Sequence, residues 1–120
     1  MTKILAVDDS ASMRQMVVFT LESAGYEVVE AADGQQALDM AKCGLFDLVL
    51  SDVDMPVMDG IALVRELRQL DAYKYTPILM LATETSGEKK MSGKRAGVTG
   101  WVVKPFNPDK LLSTIKTVIS

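Results

Sequence analysis

Acidic side chains and one lysine follow three strand-like apolar runs of this chain. Asp8 and Asp9 come directly after the first run, Asp52 ends the third, and Lys104 follows the fifth. In an open parallel sheet, the carboxyl ends of the strands meet at the edge where ligands bind. We therefore expect three carboxylates and one ammonium group to lie together at that edge.

Carboxylates held this close repel one another. Two unit charges about 4 Å apart repel by roughly 4 kcal/mol at an effective dielectric constant near 20. Magnesium would neutralise such a cluster, because it binds one or two carboxylates, a carbonyl and several waters, which leaves positions for phosphate oxygens. For Asp8 and Asp9 alone, a strand-end turn or a helix cap is the simpler explanation. The expected convergence with Asp52 and Lys104 favours a metal site.

Apolar runs alternate with segments of helical period, which is typical of repeated βα units around a parallel sheet. The pattern predicts an α/β fold with strands near residues 3–8, 27–31, 47–52, 77–82 and 99–103. The first helix has a predicted inward face formed by Met13, Met16, Val17, Leu21 and Ala24. Asp33, Asp59 and Asn107 are candidate caps of later helices. The helix near 85–96 should be the weakest, since each of its two glycines costs about 1 kcal/mol relative to alanine.

Size and composition restrict the class of protein. The 120 residues suit one domain, 1–120, and we expect no output domain. A net charge of −3 argues against general nucleic-acid binding. We expect a cytoplasmic protein without membrane insertion, because neither a long apolar run nor a secretory leader is present. The absence of histidine removes imidazole chemistry, and the lone Cys43 is predicted to be buried.

Three segments together carry a family resemblance: Val7–Ser10, Ser51–Gly60 and Val103–Phe106. In this order and at this spacing, they resemble the receiver domain of bacterial response regulators, and especially its single-domain chemotaxis members. The resemblance spans the whole chain. It implies a flavodoxin-like, doubly wound (βα)5 fold whose five parallel strands have the order 2-1-3-4-5.

The resemblance also implies roles for the residues at the strand ends. Asp52 would accept a phosphoryl group from a histidine kinase. Asp9 would be the main Mg2+ ligand, with Asp8 helping through water and Asp52 coordinating directly. The main-chain carbonyl of Asp54 would complete the protein's ligands, and Lys104 would pair with a phosphoryl oxygen. Positioning and charge cancellation are the main requirements of such a transfer.

The chain departs from the family at the end of the fourth strand. The expected switch hydroxyl falls on Ala82, and Thr83 follows it. Neighbouring strand residues point to opposite faces, so Thr83 replaces the hydroxyl only if the strand end bends. A charge-assisted hydrogen bond worth about 1.5–3 kcal/mol would otherwise be missing. We hypothesise that Thr83 or its amide partly substitutes for this hydroxyl in binding phosphate and in pulling the loop inward; the alternative is that residue 82 only needs to be small.

Three further positions have family roles. Trp101 falls at the aromatic switch position, where the ring is inward or outward; a half-buried ring that never moves is the alternative. Asp54 and Glu84 occupy two positions that tune phosphoryl lifetime, and the sign of their effect does not follow from their charge. Lys104–Pro105 is either an ordinary turn or the cis peptide that the family uses.

The fourth predicted helix is locally basic. In the family this helix, the fifth strand and the fifth helix form the output face. A solvated helix is the alternative explanation of the charges. The residues proposed for a partner face are Lys89, Lys90, Met91, Lys94 and Trp101.

The favoured function is a phosphorylation-controlled signalling switch in chemotaxis. The expected partners are a chemotaxis histidine kinase, the flagellar motor switch protein and a phosphatase, and we expect a monomer with no enzymatic activity beyond its own phosphorylation and dephosphorylation. A phosphorelay intermediate or phosphate sink is an alternative within the same chemistry. From another class, Asp52 and Asp54 match the Asp-x-Asp pair of haloacid-dehalogenase-like phosphatases, although that motif normally opens the chain. A purely structural binding module would leave the clustered acids without a role.

Overall fold

A computed structural model describes residues 2–82 and 87–119, with the backbone alone for 87–89. Strands and helices alternate along the chain. The strands are β1 (Lys3–Val7), β2 (Glu27–Ala31), β3 (Leu48–Asp52), β4 (Ile78–Ala82) and β5 (Gly100–Val103). The helices are α1 (Ala11–Ser23), α2 (Gly34–Cys43), α3 (Gly60–Arg68), α4 (Gly87–Ala96) and α5 (Pro108–Ile119), with a short 3-10 helix at Asp71–Tyr73.

The strands form one parallel sheet in the order β2-β1-β3-β4-β5. This confirms the predicted fold class and strand order, and each predicted strand boundary lies within one residue of the observed one. In the register of the sheet, Val7 lies beside Ser51, Asp52 beside Leu81, and Ala82 beside Val103. The carboxyl ends of β1, β3, β4 and β5 therefore reach the same edge.

Two apolar layers cover the sheet, one on each face. Every residue of β3 and β4 is buried, which explains why these strands are nearly continuous apolar runs rather than alternating patterns. On one face, Leu5 and Val49 pack with residues of α2 and α3. On the other, Ile4 and Leu50 pack with residues of α1 and α5.

Hydrogen bonds from side chains start the helices where the sequence predicts. Asp33, Asp59 and Asn107 each accept a hydrogen bond from the backbone N–H three residues later, at 2.8, 2.8 and 3.1 Å. These bonds satisfy amide groups that have no partner within the helix. Ser10 caps α1 in the same way, at 3.3 Å. The predicted caps are confirmed.

Three burial predictions were wrong, those for Met16, Ala24 and Cys43. Ala24 is exposed because it lies just beyond the last residue of α1. Met16 is 56% exposed, and Thr20 is buried beside Val17 instead. Successive helix residues are separated by about 100°, so the face centred on Val17 turns Met16 outward. Thr20 tolerates burial because its hydroxyl donates to the Met16 carbonyl at 2.9 Å. Cys43 is exposed, because it ends α2 away from the face that packs on the sheet.

No helix within residues 2–82 and 87–119 has both the length and the apolar character needed to cross a lipid bilayer.

Candidate functional site

Strands β1 and β3 bring three carboxylates together. Asp52 is the last residue of β3 and Asp8 directly follows β1. Both are buried, with 7% and 2% of their surface exposed, whereas Asp9 is exposed. One carboxylate oxygen from each of the three lies within 4.8 Å of the others. The edge of the sheet thus holds a dense group of oxygen donors.

Lys104 contacts two of these acids. Its Nζ lies 2.9 Å from Oδ1 of Asp52 and 3.4 Å from Oδ2 of Asp8. The backbone N–H of Lys104 donates to the Ala82 carbonyl at 2.8 Å, so this residue leaves the sheet beside the end of β4. The Lys104–Pro105 peptide bond is cis, the form that the family resemblance implied.

The charges at this edge are not balanced. Burial raises the pKa of Asp52, and the charge of Asp8 acts in the same direction, although Lys104 opposes both. Burial acts to lower the pKa of Lys104, but its contacts with Asp52 and Asp8 outweigh burial and raise it. Among the described side chains, three carboxylates thus meet one ammonium group. The donor set fits a hard divalent cation such as Mg2+, which prefers oxygen ligands.

Backbone amides hold the buried acids in place. Oδ1 of Asp8 accepts from the Ser10 N–H at 2.9 Å, which leaves Oδ2 for Lys104. Oδ1 of Asp52 accepts from the Val53 N–H at 2.9 Å as well as from Lys104. In the described residues, both donors to Asp52 therefore contact the same oxygen atom.

Arg14 supports the site and was missed by the sequence analysis. Its guanidinium donates to the Asp8 carbonyl at 2.7 Å and to the Glu30 carboxylate at 3.1 Å. It therefore fixes the peptide that links Asp8 and Asp9 to α1 and to β2. The available signal was an arginine four residues after the Ser10 cap, a position from which a long side chain can reach back along the helix.

Asp59 and Gly60 shape the backbone beside Asp52. The Gly60 N–H donates to the Val53 carbonyl at 2.8 Å. A Cβ atom on Gly60 would collide with the Asp52 carbonyl oxygen. The glycine therefore lets the start of α3 lie directly against the end of β3. Asp59 caps this helix, in agreement with its predicted structural role.

The loop between β3 and α3 contains one strained residue. Val57 has a φ of +70° and is 81% exposed. A β-branched side chain is strongly disfavoured in this left-handed region. Asp54 lies in the same loop with an exposed side chain.

The remaining predicted residues lie partly inside and partly outside the described part of the chain. Ala82 is buried at the end of β4, Trp101 is partly buried in β5, and Lys90 is partly buried in α4. Met91 and Lys94 are exposed on α4. Outside the described residues are the predicted phosphate contact and switch role of Thr83, the rate-tuning role of Glu84 and the side chain of Lys89.

Known proteins are similar to this chain in both sequence and fold. The family model described as the response regulator receiver domain matches residues 4–116. Chemotaxis protein CheY-3 of Vibrio cholerae is 43% identical over 105 residues, which is 87% of this chain and 81% of the relative. The structure of chemotaxis response regulator CheY4 of Vibrio cholerae superimposes with a TM-score of 0.93 and 59% identity, covering 98% of each chain.

A third similar protein carries a metal at its site. The receiver domain of sensor histidine kinase PA1611 from Pseudomonas aeruginosa, described with a magnesium ion coordinated in the active site cleft, is 30% identical with a TM-score of 0.92. The alignment covers 98% of this chain and 97% of that one. The parallel sheet in the order 2-1-3-4-5, the acids at its carboxyl edge and the match over residues 4–116 lead to one conclusion: the chain belongs to the response regulator receiver family.

Proposed function

We propose that this chain is a stand-alone receiver of chemotaxis signalling, in which Asp52 accepts a phosphoryl group in a magnesium-dependent reaction. The main support is the position of the Asp52 carboxylate, 2.9 Å from the Lys104 ammonium and within a cluster of oxygen donors. The chemotaxis proteins CheY-3 and CheY4 of Vibrio cholerae, to which the chain is similar over most of their length, favour chemotaxis over other receiver functions.

The attacking atom is Oδ2 of Asp52. Among the described residues, Val53 and Lys104 both contact Oδ1, which leaves Oδ2 for the incoming phosphorus. As the new P–O bond forms, the bond between phosphorus and the donor's leaving group breaks. Lys104 stays next to the acceptor and offsets charge on the phosphoryl oxygens, which is the main catalytic requirement of this transfer.

Asp8, Asp9 and Asp52 would hold the magnesium ion, together with the main-chain carbonyl of Asp54. Bound Mg2+ would neutralise the acids and bind a phosphoryl oxygen. The magnesium ion reported in the PA1611 receiver domain supports this assignment. Ala82 supplies no hydroxyl to the phosphoryl group, and the partial substitution by Thr83 remains our hypothesis.

The partner surface consists of α4, β5 and α5. A cavity of about 400 Å³ between α4 and β5 is lined by Lys90, Met91, Lys94, Val98, Thr99 and Trp101. Lysines beside apolar side chains fit an acidic, amphipathic protein segment. We propose a chemotaxis histidine kinase as donor, the flagellar motor switch protein as target, and a phosphatase as a further partner of this cytoplasmic monomer.

To test phosphorylation, the protein is incubated with acetyl phosphate and MgCl2, and its intact mass is then measured. We expect one acid-labile phosphoryl group per chain, lost in Asp52→Asn and retained in Asp39→Asn, a matched change of an exposed aspartate in α2. Phosphorylation of Asp52→Asn to the same extent would refute the acceptor assignment. Multiple-turnover release of phosphate from small phosphate esters would instead favour the Asp-x-Asp phosphatase class.

Partner capture separates the two signalling functions. The chain loaded with beryllofluoride should bind the flagellar motor switch protein more tightly than the unloaded chain. Charge reversal at Lys90 and Lys94 should abolish the gain. Transfer of the phosphoryl group to a histidine of another protein, without motor binding, would indicate a phosphorelay intermediate.

A further inference from the structure

Helix α4 ends in a glycine-based motif that lacks its usual apolar side chain. The Val98 N–H donates to the Gly93 carbonyl at 2.9 Å, and the Gly97 N–H donates to the Lys94 carbonyl at 3.2 Å. Gly97 has a φ of +107°, as this type of helix end requires. The position of Gly93 frequently carries an apolar side chain that contacts the residue after the terminal glycine. Gly93 has no side chain to make this contact.

The indole of Trp101 fills the vacant position. A Cβ atom built on Gly93 would lie 2.5 Å from Cζ2 and 2.9 Å from Cη2 of Trp101, closer than real Cβ contacts. The same Cβ atom would lie 3.2 Å from Cγ2 of Val98. Gly93 is buried, and Trp101 packs against the apolar layer shared with α2 and α3. The ring therefore comes from β5 to the place where a helix side chain would meet Val98.

The same helix end is also attached to α3. Arg68, the last residue of α3, donates to the Gly97 carbonyl from Nε at 3.1 Å and from Nη2 at 2.8 Å. The end of α4 is thus held by an apolar contact from β5 and by a charged group from α3.

We infer that Gly93 is a positioning residue for Trp101, and that the inward ring forms the apolar closure of the C-terminal end of α4. Ring and helix end then behave as one two-state unit: when the ring leaves Gly93, the helix end loses its apolar contact. This coupling needs no hydroxyl at residue 82, where the chain carries Ala82. Its regulatory meaning rests on the proposed function, because Trp101 lies in the proposed partner surface.

A double-mutant cycle on the unphosphorylated chain tests the packing. Alanine in place of a helix glycine ordinarily stabilises the helix. We expect Gly93→Ala to lower Tm by a few degrees, to shift the Trp101 emission to longer wavelength and to increase its quenching by acrylamide. In a Trp101→Ala background, where the Cβ atom has room, Gly93→Ala should raise Tm. The same sign in both backgrounds would overturn the inference.

Two further measurements keep the test decisive. Gly44→Ala is the matched control, because a Cβ atom there meets nothing closer than 3.9 Å; it should leave the emission unchanged. Trp101→Ala should speed hydrogen exchange of the Gly97 and Val98 amides by about tenfold or more, which corresponds to a loss of local stability at the helix end. Unchanged exchange at both amides would also overturn the inference.

Regulation is tested by phosphorylation rate. Gly93→Ala changes the balance between the two ring positions in advance, so the rate at which acetyl phosphate modifies Asp52 should change roughly threefold from that of the unmodified sequence. An unchanged rate together with a shifted emission would refute the link between ring position and the acceptor. Absence of any adduct in the unmodified sequence would instead refute the proposed function, and the stability cycle would still decide the packing.

Discussion

Replacing Asp9 with asparagine should stabilise the protein when divalent cations are absent. Oxygen atoms of Asp8, Asp9 and Asp52 lie within 4.8 Å of one another. At that distance each pair of charges repels by about 3.5 kcal/mol at an effective dielectric constant of 20 and about 0.9 kcal/mol at 80. Asp9 is exposed, so the true value lies towards the lower limit. Lys104 contacts the other two acids, so removing Asp9 sacrifices neither of those ion pairs.

Relief of two such repulsions gives a net gain of about 2 kcal/mol, or a rise in Tm of roughly 5–10 °C. Thermal unfolding in EDTA at low ionic strength measures this rise in Tm. Added salt should shrink the gain, because exposed charges are screened. Added MgCl2 should stabilise the unmodified sequence by about 2.7 kcal/mol at 100 times its Kd, but Asp9→Asn by less. The difference in Tm between the two proteins should therefore shrink or change sign when magnesium is added.

Asp39→Asn is the control, since this exposed aspartate of α2 contacts Gln35 and lies outside the acidic cluster. It should show neither the gain in EDTA nor an altered response to magnesium. If Asp9→Asn were less stable than the unmodified sequence in EDTA, the carboxylates would not be in electrostatic conflict, and the case for a cation between them would lose its physical basis.

Three other predictions concern the same region. Lys104→Met should destabilise the metal-free protein by about 3–5 kcal/mol in urea, because it leaves Asp52 and Asp8 without their partner; a loss below 1 kcal/mol would contradict this. Val57→Asn should raise the free energy of unfolding by about 1 kcal/mol, because asparagine tolerates a positive φ better than valine; no gain in urea would show that the loop is unstrained. Burial raises the pKa of Asp52 above 3.8, so this group contributes stability below pH 3.8 that is lost as the pH rises through its folded pKa. In EDTA, Tm of the unmodified sequence should therefore fall relative to Asp52→Asn as the pH rises through that range, and a difference independent of pH would contradict the sign.

The sheet could be predicted from the sequence because burial on both faces leaves a clear signal. All residues of β3 and β4 are buried, and their apolar runs end where the sheet ends. The same rule located the site, because Asp8, Asp52 and Lys104 each follow an apolar run. The family resemblance supplied what periodicity does not contain, namely the order of the strands and the cis bond before Pro105.

Details that depend on contacts between distant segments were not predictable. Met16 and Val17 are adjacent and both apolar, so only the placement of α1 on the sheet decides which one is buried. Arg14 acts through the Asp8 carbonyl and Glu30, a residue on another strand. The sequence identifies Gly93 only as a helix-weakening residue, because its proposed role depends on a ring that lies eight positions further along the chain.

The contact between Gly60 and the Asp52 carbonyl also limits how this protein can be redesigned. Helix α3 begins so close to the end of β3 that no engineered side chain can be introduced at residue 60 without displacing the acceptor strand. Variants with altered donor preference or altered adduct half-life will therefore have to be built in residues 53–58, where the backbone is in the loop, or in residues on the opposite side of the carboxylates. Most members of a library that randomises the whole segment 52–62 would carry a side chain at residue 60 and would therefore not fold.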